Sequence, residues 1–446
     1  MPHDDARSRN SLIPYSATFR SLLPLAFTGN ALKPISRTGR LSAWAFPPGW
    51  HVSELPLATL ALQLAGTART LRGGRWRTRD GALRIVAQAA SAAGLVELQR
   101  AAADSGRILE KALRDGLGAD YRARAATAGV AAPEGPPVPR LGPVPSWITR
   151  RSRLRASGIS YGPAGKRNLL DVWARPGVPP DGKAPVLIQV PGGGWVSGET
   201  KWQAYPLMDR LIEAGWVCVP INYRLSPRAT FPDHIVDVKR AIAWVKANIA
   251  QYGGDPDFVV ITGGSAGGHL SSLAAMSANA PEFQPGFEDA DTSVRAAVPF
   301  YGVYDLSDWD GRGGPPQTIK FIERVVMKRA LAAHRDEWLK ASPIHWVSAD
   351  APPTMIIHGT NDSLVPVEGA RRMSETLRAV SNQPVVYAEL PYAQHAFEIY
   401  ASLRTRHTVR AVERFLAYVR ASYVSSSSAS VRSNDNGPVV HQVAAS

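Results

Sequence analysis

The chain has 446 residues, 45% of them hydrophobic and 20% charged, a composition typical of a globular protein with one or two domains. Its formal net charge is +14, and most of the excess lies in residues 1–155, which by count contain about 23 Lys and Arg against about 10 Asp and Glu. A single cysteine, Cys218, excludes an internal disulfide framework and argues against a metal site built on cysteine.

Residues 1–150 are predicted to form a basic helical extension or cap. Helical periodicity runs from about residue 53 to residue 121 in three stretches, with breaks at residues 72–81 and near Asp104. Asp104 or Ser105 is a candidate N-cap for a helix that runs through Leu117. Residues 1–50 show no sustained period, and the proline-rich residues 131–145 are predicted to be a linker.

Two runs in this extension, residues 55–68 and 85–96, carry no charge. Each is shorter than the roughly 17–25 residues that a spanning helix needs, so we expect an interfacial segment or a packed helical hairpin. No cleavable signal peptide is evident in residues 11–28, because Arg20 and two prolines interrupt them. A cytoplasmic location and a peripheral membrane location both remain open.

The excess of positive charge indicates either a solvated basic face or an anionic membrane surface as partner. Nucleic acid is not expected, because no helix-turn-helix, zinc-finger or RNA-recognition signature accompanies the charge.

Residues 151–423 alternate between apolar β-rich runs and helical runs, which predicts an α/β fold with a mostly parallel sheet and helices on both faces. The Ser- and Asn-rich residues 424–446 are expected to be a disordered tail. The strands are predicted at residues 185–190, 215–222, 258–262, 296–300, 354–358 and 385–390, and the helices at residues 204–214, 233–251, 267–278, 366–380 and 408–421.

A candidate nucleophile follows the third of these strands. Ser265 is the centre of a Gly-x-Ser-x-Gly motif that runs from Gly263 to Gly267, with a strand before it and a helix after it. This order is typical of a nucleophile elbow, in which small neighbours let the strand and the helix approach closely. The motif alone is common by chance, and its position between a strand and a helix is what makes it specific.

A glycine run follows the first predicted strand, at residues 191–195. Acyl transfer requires backbone N–H donors that point at the developing oxyanion, and glycines leave such donors accessible. Gly193 and Gly194 are the candidate donors, together with Ala266, the residue after the candidate nucleophile. The spacing of a phosphate-binding loop is absent.

The remaining two groups of a triad are expected in the chain order Ser, Asp or Glu, His. Asp362 lies in the loop after the strand at 354–358, and His395 lies in the loop after the strand at 385–390. His395 would act as general base and Asp362 would orient it. Other candidates are weaker, namely Asp305 and Glu398 as acids and His234, His269 and His358 as bases, the histidines being expected to pack in or beside the core.

These motifs together resemble the hormone-sensitive-lipase-like branch of the α/β-hydrolase fold, the family IV bacterial esterases. The resemblance covers residues 157–421 and includes Asn222-Tyr223-Arg224-Leu225-Ser226-Pro227 and Phe231-Pro232 in the family's order. It implies a carboxylesterase or lipase that uses no cofactor and no metal. The long extension of short apolar helices is similar to that of lipid-associated actinobacterial esterases.

The chain departs from the family pattern at two positions beside the motifs. The family usually has His before its three glycines, where this chain has Pro191, and this difference puts the rigidity of the loop in doubt. The family usually has Asp before the nucleophile, where this chain has Gly264.

The sequence therefore predicts a serine carboxylic-ester hydrolase acting on a small-molecule or lipid ester. An amidase, peptidase or arylformamidase with the same triad stays open, because the triad does not distinguish an ester from an activated amide. A non-catalytic ligand-binding protein on this fold is disfavoured, because such proteins usually lose the serine or the histidine. The natural ester and the oligomeric state are not predicted.

Overall fold

The computed structural model describes residues 13–36, 41–130, 152–199, 203–308 and 316–435. The predicted linker at residues 131–145 and the last part of the tail, residues 436–446, lie outside the described residues.

An eight-stranded sheet forms the centre of the protein, in the spatial order β1-β2-β4-β3-β5-β6-β7-β8. β1 and β2 are antiparallel to their neighbours, and every pair from β4 to β8 is parallel. The strands are β1 (Leu154–Ser160), β2 (Leu169–Trp173), β3 (Ala184–Val190), β4 (Val217–Pro220), β5 (Gly254–Gly264), β6 (Ala296–Phe300), β7 (Thr354–Gly359) and β8 (Val385–Leu390).

The sheet is covered on both faces, as its sequence predicts. Along β3, Val186 and Ile188 belong to one hydrophobic core while Leu187 belongs to the other, because successive side chains of a strand point to opposite faces. Strands buried on both faces are typical of parallel sheets with helical crossovers, so the predicted α/β fold class is confirmed.

Helices follow most strands of the parallel part, close to the predicted positions. The structure adds β1 and β2, which the sequence did not predict; β1 is an exposed edge strand without an apolar run. The helices of this part are α6 (Tyr205–Glu213), α7 (Asp233–Asn248), α8 (Ala266–Met276), α9 (Pro316–Phe321), α10 (Arg335–Lys340), α11 (Glu368–Val380) and α12 (Leu403–Asp435).

In the described residues the N-terminal region contains five α-helices, and one detail of the sequence prediction is wrong. The helices are α1 (Ile13–Leu32), α2 (Ser42–Glu54), α3 (Pro56–Arg72), α4 (Arg79–Leu117) and α5 (Tyr121–Thr127). Residues 1–50 show no sustained period in the sequence, yet they contain α1 and most of α2. The expected break near Asp104 is absent, since α4 continues through both candidate N-caps; Ser105 Oγ donates to the carbonyl of Ala101 inside the helix.

The second half of α4 is part of the hydrophobic core that packs against the sheet. Leu109, Leu113 and Leu117 belong to the same hydrophobic cluster as residues of β3, β5 and α12. An ideal Cβ on Gly116 would lie 2.6 Å from the carbonyl oxygen of Val385, so this glycine lets α4 contact β8 closely. α4 therefore belongs both to the helical extension, through its first half, and to the core beside the sheet, through its second half.

Among the described residues, one helix is long and apolar enough to cross a membrane by length and composition, namely α4. Packed core helices meet the same criterion, and α4 contacts α1, α3, α12 and β8.

The last helix also corrects a prediction. Residues 424–446 were expected to be disordered, but residues 424–435 belong to α12, which ends at Asp435.

Candidate active site

The backbone of Ser265 has the strained conformation expected of a nucleophile elbow. Its φ and ψ angles are 59° and −123°, between the end of β5 and the start of α8. An ideal Cβ on Gly263 would lie 2.5 Å from the carbonyl of Gly267, so only small residues allow the strand and the helix to approach this closely. The strain is thus imposed by packing on both sides of the serine.

The glycine loop lies against Ser265. An ideal Cβ on Gly192 would lie 3.2 Å from the Cβ of Ser265, and Gly193 has a φ of 128° that favours glycine. Within the described chain, the backbone N–H groups of Gly193, Gly194 and Ala266 donate to no protein group. These three N–H groups, two in the glycine loop and one directly after Ser265, are therefore free to donate.

Two side chains clamp the glycine loop, and the sequence analysis did not identify either. Gly192 N–H donates to Gln203 Oε1 at 2.6 Å, and Gln203 Nε2 donates back to the carbonyl of Gly192 at 3.2 Å. The hydroxyl of Tyr223 donates to the carbonyl of Pro191 at 2.9 Å. The loop is held from outside, which removes the doubt raised by Pro191 in place of the family's histidine.

His269 also supports the glycine loop, through a hydrogen bond from Trp195. Its Nδ1 accepts a hydrogen bond of 3.1 Å from the indole N–H of Trp195, and its Nε2 bonds to the carbonyl of Ala341 at 2.7 Å. Burial lowers the pKa of His269 to about 4, so its ring is neutral and can accept from Trp195. The expectation that His269 packs rather than reacts agrees with this environment.

Asp362 and His395 meet at the ends of β7 and β8. His395 Nδ1 and Asp362 Oδ2 are 2.7 Å apart, and both side chains are buried. Asp362 Oδ1 accepts two backbone N–H groups, from Leu364 at 2.9 Å and from Val365 at 2.8 Å. The carboxylate is therefore fixed on one oxygen while the other faces the imidazole.

A second histidine also contacts this carboxylate. His358 Nε2 lies 3.2 Å from Asp362 Oδ2 and 2.9 Å from the carbonyl of Val365. Burial raises the pKa of Asp362, but the charge of His395 and the hydrogen bonds from His358 and His395 outweigh burial and hold that pKa well below its usual range. Asp362 is consequently ionised, which is the state that orients an imidazole.

The alternative acids have other partners. Asp305 Oδ1 accepts from Ser307 N–H at 2.9 Å and Ser307 Oγ at 2.7 Å, so it caps a turn. Burial raises the pKa of Glu398 to about 7, and its neighbour is the phenol of Tyr301. Neither carboxyl group has a hydrogen bond to His395 among those of the described residues, so the structure pairs His395 with Asp362.

Tyr301 explains the second departure from the family pattern. An ideal Cβ on Gly264 would lie 2.5 Å from Tyr301 Oη, so the phenol occupies the space that a side chain at position 264 would need. The ring of Tyr301 packs on His395 with ring centroids 4.5 Å apart. Tyr301, which directly follows β6, thus fills the space next to Ser265.

The N-terminal helices cover the loops of the acid and the base. The ring of Phe46 in α2 lies edge-on to His395, with centroids 6.2 Å apart, and the indole of Trp50 donates to the carbonyl of Ala396 at 2.9 Å. Glu54 forms a fully buried ion pair with Arg404 at the start of α12. α2 therefore forms a wall beside His395.

The loop that carries Asp362 has its own bonds to the extension. Asn361 Nδ2 donates to the carbonyl of Ala31 at 2.8 Å, and Ser363 Oγ donates to the carbonyl of Ser42 at 3.2 Å. Gln394 Oε1 accepts from the N–H groups of Ser363 at 2.7 Å and His395 at 2.9 Å. The acid loop, the base loop and the extension form one hydrogen-bonded unit.

A parallel sheet in this order, a strained serine after β5 and an Asp–His pair after β7 and β8 define an α/β-hydrolase.

The comparisons with known proteins specify the family. A family model described as BD-FAE matches residues 170–377. The chain is 51% identical over 385 residues to the probable carboxylic ester hydrolase LipM of Mycobacterium tuberculosis. The matched region covers 86% of this chain and 89% of that protein. The chain is 52% identical over 270 residues to the esterase LipQ of the same organism, which covers 60% of this chain and 64% of that protein. The chain belongs to the hormone-sensitive-lipase-like family of carboxylic ester hydrolases.

A solved structure supports the fold. A truncated carbohydrate esterase from gut microbiota matches with a TM-score of 0.51 at 22% identity, covering 59% of this chain and 98% of that chain. The part of this chain that it leaves uncovered is larger than the helical extension alone.

Proposed function

We propose that this protein hydrolyses carboxylic esters through an acyl-enzyme on Ser265, with His395 as general base and general acid and Asp362 as the group that orients it. The observation that carries the proposal is the 2.7 Å bond between His395 Nδ1 and Asp362 Oδ2, on loops beside a strained serine. That bond fixes the proton on Nδ1 and leaves Nε2 to accept the proton of a serine hydroxyl.

Each half-reaction uses the same groups. Ser265 Oγ attacks the ester carbonyl carbon while His395 Nε2 takes the hydroxyl proton, and the N–H groups of Gly193, Gly194 and Ala266 bind the oxyanion. His395 then gives the proton to the leaving alkoxide as the C–O bond breaks, which releases the alcohol. Water repeats the attack on the acyl-enzyme, and the acid leaves with Ser265 restored.

A fluorophosphonate probe tests the assignment of the nucleophile. We expect one covalent adduct, on Ser265, and none in Ser265→Ala, while the exposed control Ser422→Ala labels like the unchanged protein. The activity of Ser265→Ala should fall by several orders of magnitude to a remnant of roughly 10³–10⁴ over water. Full labelling of the Ser265→Ala protein would contradict the proposal. Rates on p-nitrophenyl esters from acetate to palmitate would then define the preferred acyl chain.

We also propose that the extension binds the surface of an anionic membrane. Leu57, Leu64 and Leu71 recur every seven residues on α3, are exposed, and so form a stripe along one side of the helix. Exposed arginines lie at the end of α3 and just after it, namely Arg69, Arg72, Arg77 and Arg79. An apolar stripe beside arginines suits an interfacial segment, to which each arginine near the surface contributes about 1 kcal/mol.

Co-sedimentation with phosphatidylglycerol-containing vesicles tests this second proposal. We expect the full chain to pellet with anionic vesicles at low salt and to remain in solution at high salt or with neutral vesicles. Arg69→Gln/Arg72→Gln should weaken binding, whereas the exposed control Arg335→Gln/Arg378→Gln on α10 and α11 should not. Retention of the full chain in the supernatant with anionic vesicles at low salt would contradict it.

A further inference from the structure

A cavity lies among the helices of the extension. It has a volume of about 340 Å³ and is lined by residues of α1, α2, α3 and α4. Its apolar walls come from Leu23, Pro24, Phe27, Val52 and Leu62. No charged residue lines it among the described residues, and none of the residues proposed above for ester hydrolysis takes part in it.

One lining side chain carries a buried acceptor without a partner. Gln63 is 9% exposed, and its Oε1 has no hydrogen-bond partner while its Nε2 is 2.9 Å from Ser91 Oγ. Ser91 Oγ accepts from Gln63 Nε2, donates to the carbonyl of Pro24 at 3.2 Å and lies 2.8 Å from Thr28 Oγ1. The amide oxygen of Gln63 is therefore left as an acceptor, and an unsatisfied buried acceptor is costly.

A second amide lines the same cavity. Gln88 Oε1 accepts a 2.6 Å hydrogen bond from Thr67 Oγ1, which leaves its Nε2 as the free end of the amide. An ideal Cβ on Gly66, another lining residue, would lie 3.7 Å from Gln88 Nε2, so this nitrogen borders the cavity. The cavity thus offers one acceptor and one donor within apolar walls.

We infer that this cavity is a binding site for an uncharged amphiphile with a hydroxyl group, such as a fatty alcohol or a monoacylglycerol. A hydroxyl donates to Gln63 Oε1 and accepts from Gln88 Nε2, while the alkyl chain contacts the apolar walls. A charged head group is excluded because the cavity provides no counter-charge, and burying an unpaired charge is strongly unfavourable. Leu62, at 75% exposed, and Phe27, at 42%, extend the apolar surface outward from the cavity.

The test compares two ligands and four forms of the protein by calorimetry, in a Ser265→Ala background that cannot form an acyl-enzyme. The ligands are 1-decanol and decyl methyl ether, which cannot donate to Gln63 Oε1. The Ser265→Ala protein should bind 1-decanol about tenfold more tightly than the ether, because only the alcohol satisfies the buried acceptor. Gln63→Leu, added to this background, should abolish that difference.

Two further variants separate the cavity from other apolar surfaces. Gly66→Leu should fill the cavity and remove the binding of both ligands, and leucine is a better helix former than glycine, so α3 should stay folded. Leu64→Ala removes an exposed leucine of α3 outside the cavity and should bind like the parent. Equal affinity for the two ligands, no saturable binding, or an unchanged affinity in Gly66→Leu would each overturn the inference. Because Ser265 is already absent, the outcome is independent of the proposed ester hydrolysis.

Discussion

The two halves of the proposed active site are supported by different parts of the chain. The glycine loop and Ser265 are held from within the α/β region, by Gln203, Tyr223 and, through Trp195, His269. The loops of Asp362 and His395 are instead bonded to α1 and α2, through contacts made by Asn361, Ser363, Ala396, Ser402 and Arg404.

The difference teaches that the extension is an integral part of the acid–base half of the site. It provides hydrogen bonds to both loops, a ring against His395, and in α4 a helix that enters the core. Point variants on either side can therefore separate the two supports, whereas deletion of the extension would remove part of the core.

The largest expected effect is the loss of the base or the acid. His395→Ala should lower kcat about as much as Ser265→Ala, because triad members act as a unit, and Asp362→Asn should lower kcat by about 10⁴. Asp305→Asn should stay within a few-fold of the unchanged protein, because that carboxylate caps a turn. Steady-state rates on a p-nitrophenyl ester measure all three. A larger loss of activity in Asp305→Asn than in Asp362→Asn, with folding intact, would show that Asp362 is not the acid of the triad.

The next effect concerns the ion pair that joins α2 to α12. Arg404→Met leaves Glu54 buried without a cation and should lower the free energy of unfolding by about 3–5 kcal/mol. Arg371→Met breaks a pair of the same chemistry, with Glu389 at 2.6 Å, but Arg371 is exposed and the cost should be about 1 kcal/mol or less. Urea unfolding measures both, and equal costs would show that α2 is not anchored there.

A third effect is a pH dependence of the free energy of unfolding, which arises from Glu398 in the acid–base half of the site. Burial raises the pKa of Glu398 from 4.5 to about 7, so the folded state binds its proton more tightly than the unfolded state. The contribution of Glu398 to the free energy of unfolding is fully present below pH 4.5 and is lost as the pH rises through 7. The total loss is roughly 3 kcal/mol.

Glu398→Gln should remove that dependence. Its free energy of unfolding should exceed that of the unchanged protein at pH 8 and approach it at pH 5, while the exposed control Glu375→Gln should follow the unchanged protein at both values. Urea unfolding at the two pH values measures this, and parallel curves for Glu398→Gln and the unchanged protein would contradict the assignment.

The smallest effect tests the other half. Gln203→Leu removes both bonds to Gly192 and should lower kcat about 10- to 100-fold with little change in KM, because the oxyanion donors act mainly in the transition state. A trifluoromethyl ketone, which forms a tetrahedral adduct, should lose affinity in parallel, and the exposed control Gln383→Leu should change neither quantity. A rise in KM at constant kcat would assign Gln203 to substrate binding instead.

The fold and the three candidate triad residues could be predicted because their signals are local. Each predicted strand of the parallel region is an apolar run, and Ser265, Asp362 and His395 each lie just after one of these strands. Chain order and spacing along the sequence were sufficient for these assignments.

The supports could not be predicted, because each joins residues far apart in sequence. Gln203 and Tyr223 reach the glycine loop across 11 and 32 residues, and Trp50 reaches Ala396 across 346. The continuity of α4 was missed for the opposite reason. Asp104 is a typical capping residue, yet inside the helix it pairs with Arg107 one turn on.

The close contact between Gly264 and Tyr301 limits which residues these two positions can hold together. A side chain at position 264 would collide with a phenol that itself packs on His395. An aspartate at position 264, where the sequence resembles a family that carries one, would require the ring of Tyr301 to move or to be replaced. Either single change, Gly264→Asp or a smaller side chain at position 301, would place a clash or a cavity beside the serine, so the two positions are energetically coupled.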